Sequence, residues 1–257
     1  MEIYGLQKMT LLDFPGRIAC TVFLSGCDMR CPFCHNSELA EGKAPPVMTA
    51  GELLSFLTKR KGMLDGVAVT GGEPLLREET LDLLRQIRTL GYPVKLDTNG
   101  THPDRLRRAV AEDLAQYVAM DIKNSPERYA ETAGLPAMDL SRVRESAAFL
   151  LEGRGDYEFR TTVVREFHDA DSFRAIGAWI HGAKRFALQK FAEAGEDVDA
   201  LAEYYDGGQW RSDFEADEAG LLPATLKRGV LSEDGLWNLL ADDKELRRRM
   251  AELGSEK

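Results

Sequence analysis

Short runs of apolar and β-branched residues alternate along this chain with longer stretches whose apolar positions recur every three or four residues. Residues 17–24, with Ile18, Val22, Phe23 and Leu24, have the composition of a buried strand entered from a Pro15-Gly16 turn. Thr49 and Glu52 form a capping-box pair ahead of Leu53, Leu54 and Leu57, which predicts a helix with those leucines on one face. Residues 66–70 are a second strand. A helix carrying Leu81, Leu84, Ile87 and Leu90 follows and stops at Gly91. Residues 94–97 are a third strand, and Pro103 suits the first turn of a helix through Leu106, Val110 and Leu114. Residues 117–123 are a fourth strand, 140–151 a helix ended by Gly153, 157–164 an alternating fifth strand, 172–180 a helix and 185–189 a sixth strand.

Six strands separated by helices predict an α/β fold with a parallel sheet and right-handed crossovers. An open doubly wound sheet and a partial barrel both satisfy that pattern. The polar motifs are placed more tellingly. The cysteine-rich stretch after residue 24, Gly71-Gly72-Glu73-Pro74, Asp97-Thr98-Asn99-Gly100, Asp121-Ile122-Lys123 and Gln189 all fall where a strand ends. In parallel α/β architectures that edge binds ligands, so one shared site is expected.

Beyond Phe191 the pattern changes. Residues 192–257 lack strand alternation, are acidic up to about Asp217, and still carry Leu201, Tyr204, Tyr205, Trp210 and Phe214. Leu236, Leu239, Leu240 and Leu246 then mark one or two helices. The expected organisation is a domain over 1–191 and a largely helical C-terminal extension over 192–257.

Composition narrows the classes. The chain has 257 residues, is 44% hydrophobic and 30% charged, and can bury a full core. Its net charge of −10 disfavours nonspecific nucleic-acid binding. No apolar stretch has the length of a membrane span, and the start is broken by Asp13, Pro15 and Gly16, so no membrane association is expected. Of the four cysteines, three lie in one loop and leave Cys20 alone, which fits a reducing, cytoplasmic compartment.

That loop, Cys27-Asp28-Met29-Arg30-Cys31-Pro32-Phe33-Cys34-His35-Asn36, offers three soft thiolate ligands where Pro32 interrupts any helix. A structural zinc site takes four protein ligands, and His35 or Cys20 could complete one. An iron–sulfur cube takes four cysteines, so three would leave one iron open to a substrate. The glycines at 71 and 72 allow close backbone approach, and Glu73 can bind an ammonium, although Gly-Gly turns are also common in structural roles. Phe33 could shield a cluster from water. Asp97-Thr98-Asn99-Gly100 could equally be a plain polar turn, and Asp121 with Lys123 a surface ion pair. Arg160 and Gln189 are either site-lining or structural. His35, His102, His168 and His181 form no convergent acid–base set in sequence.

Taken together, the three-cysteine loop and the Gly-Gly-Glu after a strand resemble the radical S-adenosylmethionine (SAM) enzymes. The resemblance implies a [4Fe-4S] cluster on Cys27, Cys31 and Cys34, with the methionine end of SAM on the open iron. It implies that Gly71, Gly72 and Glu73 meet the SAM amino group and that Phe33 lies against the adenine. Asp97, Thr98, Asn99, Asp121 and Lys123 would contact the ribose and the methionine ammonium and carboxylate, with Lys123 on the carboxylate. It also selects the partial six-stranded (βα) barrel. Residues 10–19, with Cys34-His35-Asn36, are similar to the activating proteins of anaerobic ribonucleoside-triphosphate reductase, a glycyl-radical activating family. The activity so implied is reductive cleavage of SAM to a 5′-deoxyadenosyl radical that takes hydrogen from a glycine of the partner reductase. A reductant such as flavodoxin or ferredoxin would supply the electron. Two other expectations remain: a radical SAM enzyme acting on a small molecule or peptide, and a noncatalytic zinc-binding interaction module.

Overall fold

The computed structural model describes residues 1–191. The extension expected from residue 192 lies outside the described residues. Nine strands occur among them: β1 (Glu2–Ile3), β2 (Gly5–Thr10), β3 (Ala19–Leu24), β4 (Met48–Thr49), β5 (Gly66–Gly71), β6 (Val94–Thr98), β7 (Tyr117–Asp121), β8 (Asp156–Val163) and β9 (Phe186–Lys190). The helices are α1 (Ser37–Ala40), α2 (Ala50–Lys59), α3 (Glu79–Thr89), α4 (Pro103–Ala111), α5 (Tyr129–Thr132), α6 (Ser141–Leu151) and α7 (Ala170–Trp179). Among the described residues a single 3-10 turn covers Pro74–Leu76.

The six expected strands are β3, β5, β6, β7, β8 and β9, and they pair in that order, all parallel. The fold is α/β, a partial (βα)6 barrel. The curvature shows in reach: Thr21 and Phe23 of β3 line the same cavity as Arg160 of β8 and Gln189 of β9. Neighbouring strands are about 4.8 Å apart, so a flat sheet would hold β3 and β9 far from any common space. Continuous apolar runs on β3 and β5, buried along nearly their whole length, are what a sheet covered on both faces requires.

The helices cover the outside. α2 opens on the expected capping box, with Thr49 accepting from the Glu52 amide and Glu52 accepting from the Thr49 amide. α4 starts at Pro103, and the chain after α3 turns through Gly91 at φ 86°. Leu53, Leu57, Leu81, Leu84, Ile87 and Leu106 all reach the core beneath these helices.

The amino-terminal lead-in differs from its expected form. It contains strand β2, antiparallel to β3, which makes the main sheet seven-stranded. β1 and β4 pair separately as a two-stranded ribbon. β2 is mostly exposed and bulged between Gln7 and Thr10. Its side chains therefore carry no alternation that sequence could register, and backbone pairing to the free edge of β3 recruits it. After β2 the chain tucks Phe14 beside the Tyr117 ring at 6.2 Å, and Phe14 is nearly fully buried. Among the described residues, no helix is long and apolar enough to cross a membrane.

Candidate functional site

The cysteine loop leaves β3 through Ser25 and Gly26 and is held by backbone on three sides. The Gly26 and Cys27 amides donate to the Leu39 and Ala40 carbonyls at 2.8 and 3.1 Å. The Gly72 and Glu73 amides donate to the Leu24 and Gly26 carbonyls at 2.9 and 2.8 Å. On the far side the Arg30 amide donates to Ala133 at 2.8 Å, and the Cys34 amide turns back to Cys31 at 3.1 Å.

Glycine is what permits these approaches. A Cβ on Gly72 would stand 2.1 Å from the Gly26 carbonyl oxygen, and one on Gly134 would stand 1.8 Å from that of Arg30. The Gly71-Gly72 pair thus brings the end of β5 against the chain's own cysteine loop, a use of glycine that sequence alone assigned to a ligand.

Below and beside the loop lies a cavity of about 440 Å³, within the usual range for small-molecule and cofactor sites. Cys27, Cys31, Phe33 and Cys34 line it, together with Gly71, Gly72, Asp97, Thr98, Asn99, Asp121, Lys123, Arg160 and Gln189. The fold therefore gathers every sequence-derived candidate except Glu73 around one space. Glu73 is 2% exposed and turned inward. Its Oε1 accepts from the Leu75 amide and the Thr98 hydroxyl, both at 2.9 Å, and its Oε2 accepts from the Asn99 amide at 2.6 Å. The carboxylate ties the end of β5 to the end of β6. Burial pushes it up to about 7, against the bonds from Asn99, Leu75 and Thr98 that favour its charged form.

The opposite wall is ionic. Lys123 Nζ meets Asp121 Oδ2 at 2.9 Å, and Arg160 spans Asp121 Oδ1 at 3.0 Å and Asp97 Oδ2 at 3.4 Å. Asp97 also pairs with the buried Lys95. Burial raises the Asp121 carboxyl, but the adjoining Lys123 and Arg160 charges outweigh it and hold the group at about 2. Lys123 is raised, with burial opposing the stronger pull of Asp121. Asp121, Lys123 and Arg160 are thus charged through the neutral range, and the wall can oppose a zwitterionic ligand with either sign.

All four cysteines are free thiols. Burial pushes the Cys27 thiol up to about 12 and raises Cys31 as well. A bound cationic centre reverses that preference, because a coordinating thiol is deprotonated outright. Among the described residues no group of three His, Cys, Asp or Glu side chains converges on the position of one metal ion. Three thiols of one loop around a cavity of this size, facing a mixed-charge wall, fit a multi-iron group on which each sulfur takes its own iron, together with a charged small molecule.

Phe33 packs against Phe167 at 5.6 Å and edge-on to Phe191 at 6.1 Å, and His35 lies 5.1 Å from Phe191. Sequence reasoning passed over Asp13, Thr21 and Thr162, which also line the cavity. Thr162 could have been found, since it shares the inward face of β8 with Arg160 two residues earlier. Asp13, bonded to the Thr21 hydroxyl, enters the cavity from the loop before β3, which no strand rhythm predicts.

A parallel barrel open at one side, with thiols and paired charges gathered at its strand ends, defines a cofactor-using α/β enzyme. The chain belongs to the radical SAM superfamily, whose profile matches residues 21–172. Membership implies a [4Fe-4S] cluster and SAM. A domain of unknown function, DUF4298, matches residues 180–253. The chain is 29% identical over 198 residues to a Methanocaldococcus jannaschii protein provisionally named a glycyl-radical enzyme activating enzyme, covering 74% of this chain and 79% of that one. It is 38% identical over 104 residues to the pyruvate formate-lyase-activating enzyme of Clostridium pasteurianum, covering 38% of this chain and 43% of that one. Streptococcus suis SuiB bound to S-adenosylmethionine shares the fold with a TM-score of 0.55 at 16% identity, over 72% of this chain and 48% of SuiB. This chain thus spans less than half of the Clostridium and SuiB proteins.

Proposed function

We propose that this radical SAM enzyme installs a glycyl radical on a partner enzyme, the anaerobic ribonucleoside-triphosphate reductase. The observation that carries the reading is likeness along 198 residues to a protein named for glycyl-radical enzyme activation. The lead-in and Cys34-His35-Asn36 support the reductase as partner. Cys27, Cys31 and Cys34 would hold the cluster. When bound, the cluster and SAM supply reductive cleavage of the sulfonium and a radical able to take hydrogen from carbon, the electron coming from a flavodoxin or ferredoxin.

The chain's own residues bind, orient and exclude water. Gly71 and Gly72 expose strand-end backbone toward the amino group. Lys123 and Arg160 balance a carboxylate, Asp97 and Asp121 an ammonium or ribose hydroxyls, and Thr98, Asn99 and Gln189 add neutral hydrogen bonds. Phe33, backed by Phe167 and Phe191, offers an apolar face to an adenine. Glu73 acts from behind by fixing the Thr98–Asn99 turn. The proposed organisation is a radical SAM domain over residues 1–191 and an extension over 192–257 that serves either partner recognition or the stability of the chain.

The test is anaerobic reconstitution followed by incubation with SAM, a strong reductant and the reductase. About four irons per chain, 5′-deoxyadenosine, and a glycyl-radical EPR signal on the reductase are expected. Deoxyadenosine without the glycyl signal would move the activity to a small molecule or peptide. Stoichiometric zinc with no cluster would leave only the interaction module. A chain ended after Phe191 separates the two roles of the extension: SAM cleavage without the glycyl radical means partner recognition, and loss of folding or of the cluster means a structural part.

A further inference from the structure

His102 sits just before α4, and its side chain is 13% exposed. Its Nδ1 lies 3.1 Å from Arg105 Nη1, which also donates to the Leu75 carbonyl at 2.7 Å. Arginine can only donate, so Nδ1 must accept, and the ring proton is on Nε2. That nitrogen is buried and has no hydrogen-bonding partner of regular geometry among the described residues. It faces the Asp28 carboxylate, with Oδ2 at 3.3 Å.

Asp28 lies inside the cysteine loop, next to Cys27. Its other oxygen, Oδ1, accepts from Asn99 Nδ2 at 2.9 Å. The same amide stands 3.7 Å from Cys27 Sγ, within reach of a hydrogen bond to sulfur. Asn99 has no freedom to turn away. Its Oδ1 accepts from the Thr101 amide at 3.0 Å and hydroxyl at 2.7 Å, and its own backbone amide is bonded to Glu73.

We propose that His102 and Asp28 are positioning residues that aim the Asn99 amide at the Cys27 sulfur and so set the reduction potential of a cluster held there. The inference rests on the assignment of Cys27 as a cluster ligand. A donor on a ligating sulfur stabilises the more negative, reduced state, whereas the Asp28 charge opposes it; hydrogen bonds and net charge at the sulfurs are recognised determinants of cluster potential. The two residues therefore act on the potential with opposite signs. A role confined to folding gives no such pair of signs.

The test is a redox titration, monitored by EPR, of the reconstituted full-length chain and three variants. His102→Phe frees the Asp28–Asn99 pair and should lower the potential. Asp28→Asn keeps the shape and one acceptor oxygen for Asn99, turns its amide nitrogen toward His102, removes the charge and should raise it. Each shift is expected to be about tenfold in the reduction equilibrium, or 59 mV for a one-electron couple. His102→Gln retains an N–H donor and should stay near wild type. Should His102→Phe fail to fold, the upward shift of Asp28→Asn and the unchanged His102→Gln decide the matter. Four irons per chain with a wild-type potential in both Asp28→Asn and His102→Phe would overturn the relay alone. A wild-type chain that takes up no iron would sink the ligand assignment, and the relay with it.

Discussion

The two walls of the strand-end site are built by different forces. One wall, formed by the cysteine loop with the ends of β5 and β6, is held by backbone meeting backbone through Gly71, Gly72 and Gly134, and by one buried carboxylate with three donors. The other, from β6 to β8, is a network of ion pairs among Asp97, Asp121, Lys123 and Arg160. The first depends on shape at short range, where a single added carbon has no place to go. The second depends on charge, which weakens by degrees. Position and polarity of a bound molecule can therefore be altered separately, and each wall has its own way of failing.

The sharpest break is Gly72→Ala. Its methyl would overlap the Gly26 carbonyl oxygen, so the loop must move or β5 must part from β3. A loss of about 4 kcal/mol or more is expected, with iron uptake lost even in chains that still fold. Urea denaturation and iron analysis check this. Full iron loading at wild-type stability would show that the glycine clasp is not what holds the loop.

Asp121→Asn comes next. It strips Lys123 of its carboxylate, while Arg160 keeps Asp97 at 3.4 Å. The expected cost is about 3 kcal/mol, at the low end for breaking a buried pair because one partner survives. The sign with pH is fixed by a carboxyl held at about 2 against its usual 3.8. Its stabilisation is present above about pH 4 and is lost as pH falls toward 2. Acid unfolding of wild type should therefore show a step that the variant lacks.

Glu73→Gln is the mildest and sharpens the comparison most. Replacing one oxygen by an amide sets a donor against the Asn99 or Leu75 amide, at a cost of about 2 kcal/mol. Here the folded carboxyl is raised, to about 7 from 4.5, so its contribution is full below pH 4.5 and is lost as pH rises through 7. The wild-type advantage over the variant should shrink between pH 5 and pH 8, opposite in sense to the Asp121 wall. Denaturation midpoints at those two pH values measure it. A constant advantage would mean that the three donors, not burial, govern Glu73.

The sequence by itself determined the order and type of the parallel strands, because burial on both faces leaves unbroken apolar runs such as those of β3 and β5. It also located the helix caps, since Thr49 with Glu52 and Pro103 act on their own backbone within a few residues. It placed the polar motifs at strand ends, and parallel topology then brings them to one edge whatever the details of packing. It did not reveal β2, whose pairing uses backbone alone. Nor could it tell which way Glu73 turns, or that His102 and Asp28, 74 positions apart, come within 3.3 Å. Those outcomes depend on contacts between elements distant in sequence, where short-range periodicity carries no signal. The glycines at 71 and 72 show the division most clearly: their presence is written in the chain, but the carbonyls they make room for are brought there only by the folded barrel.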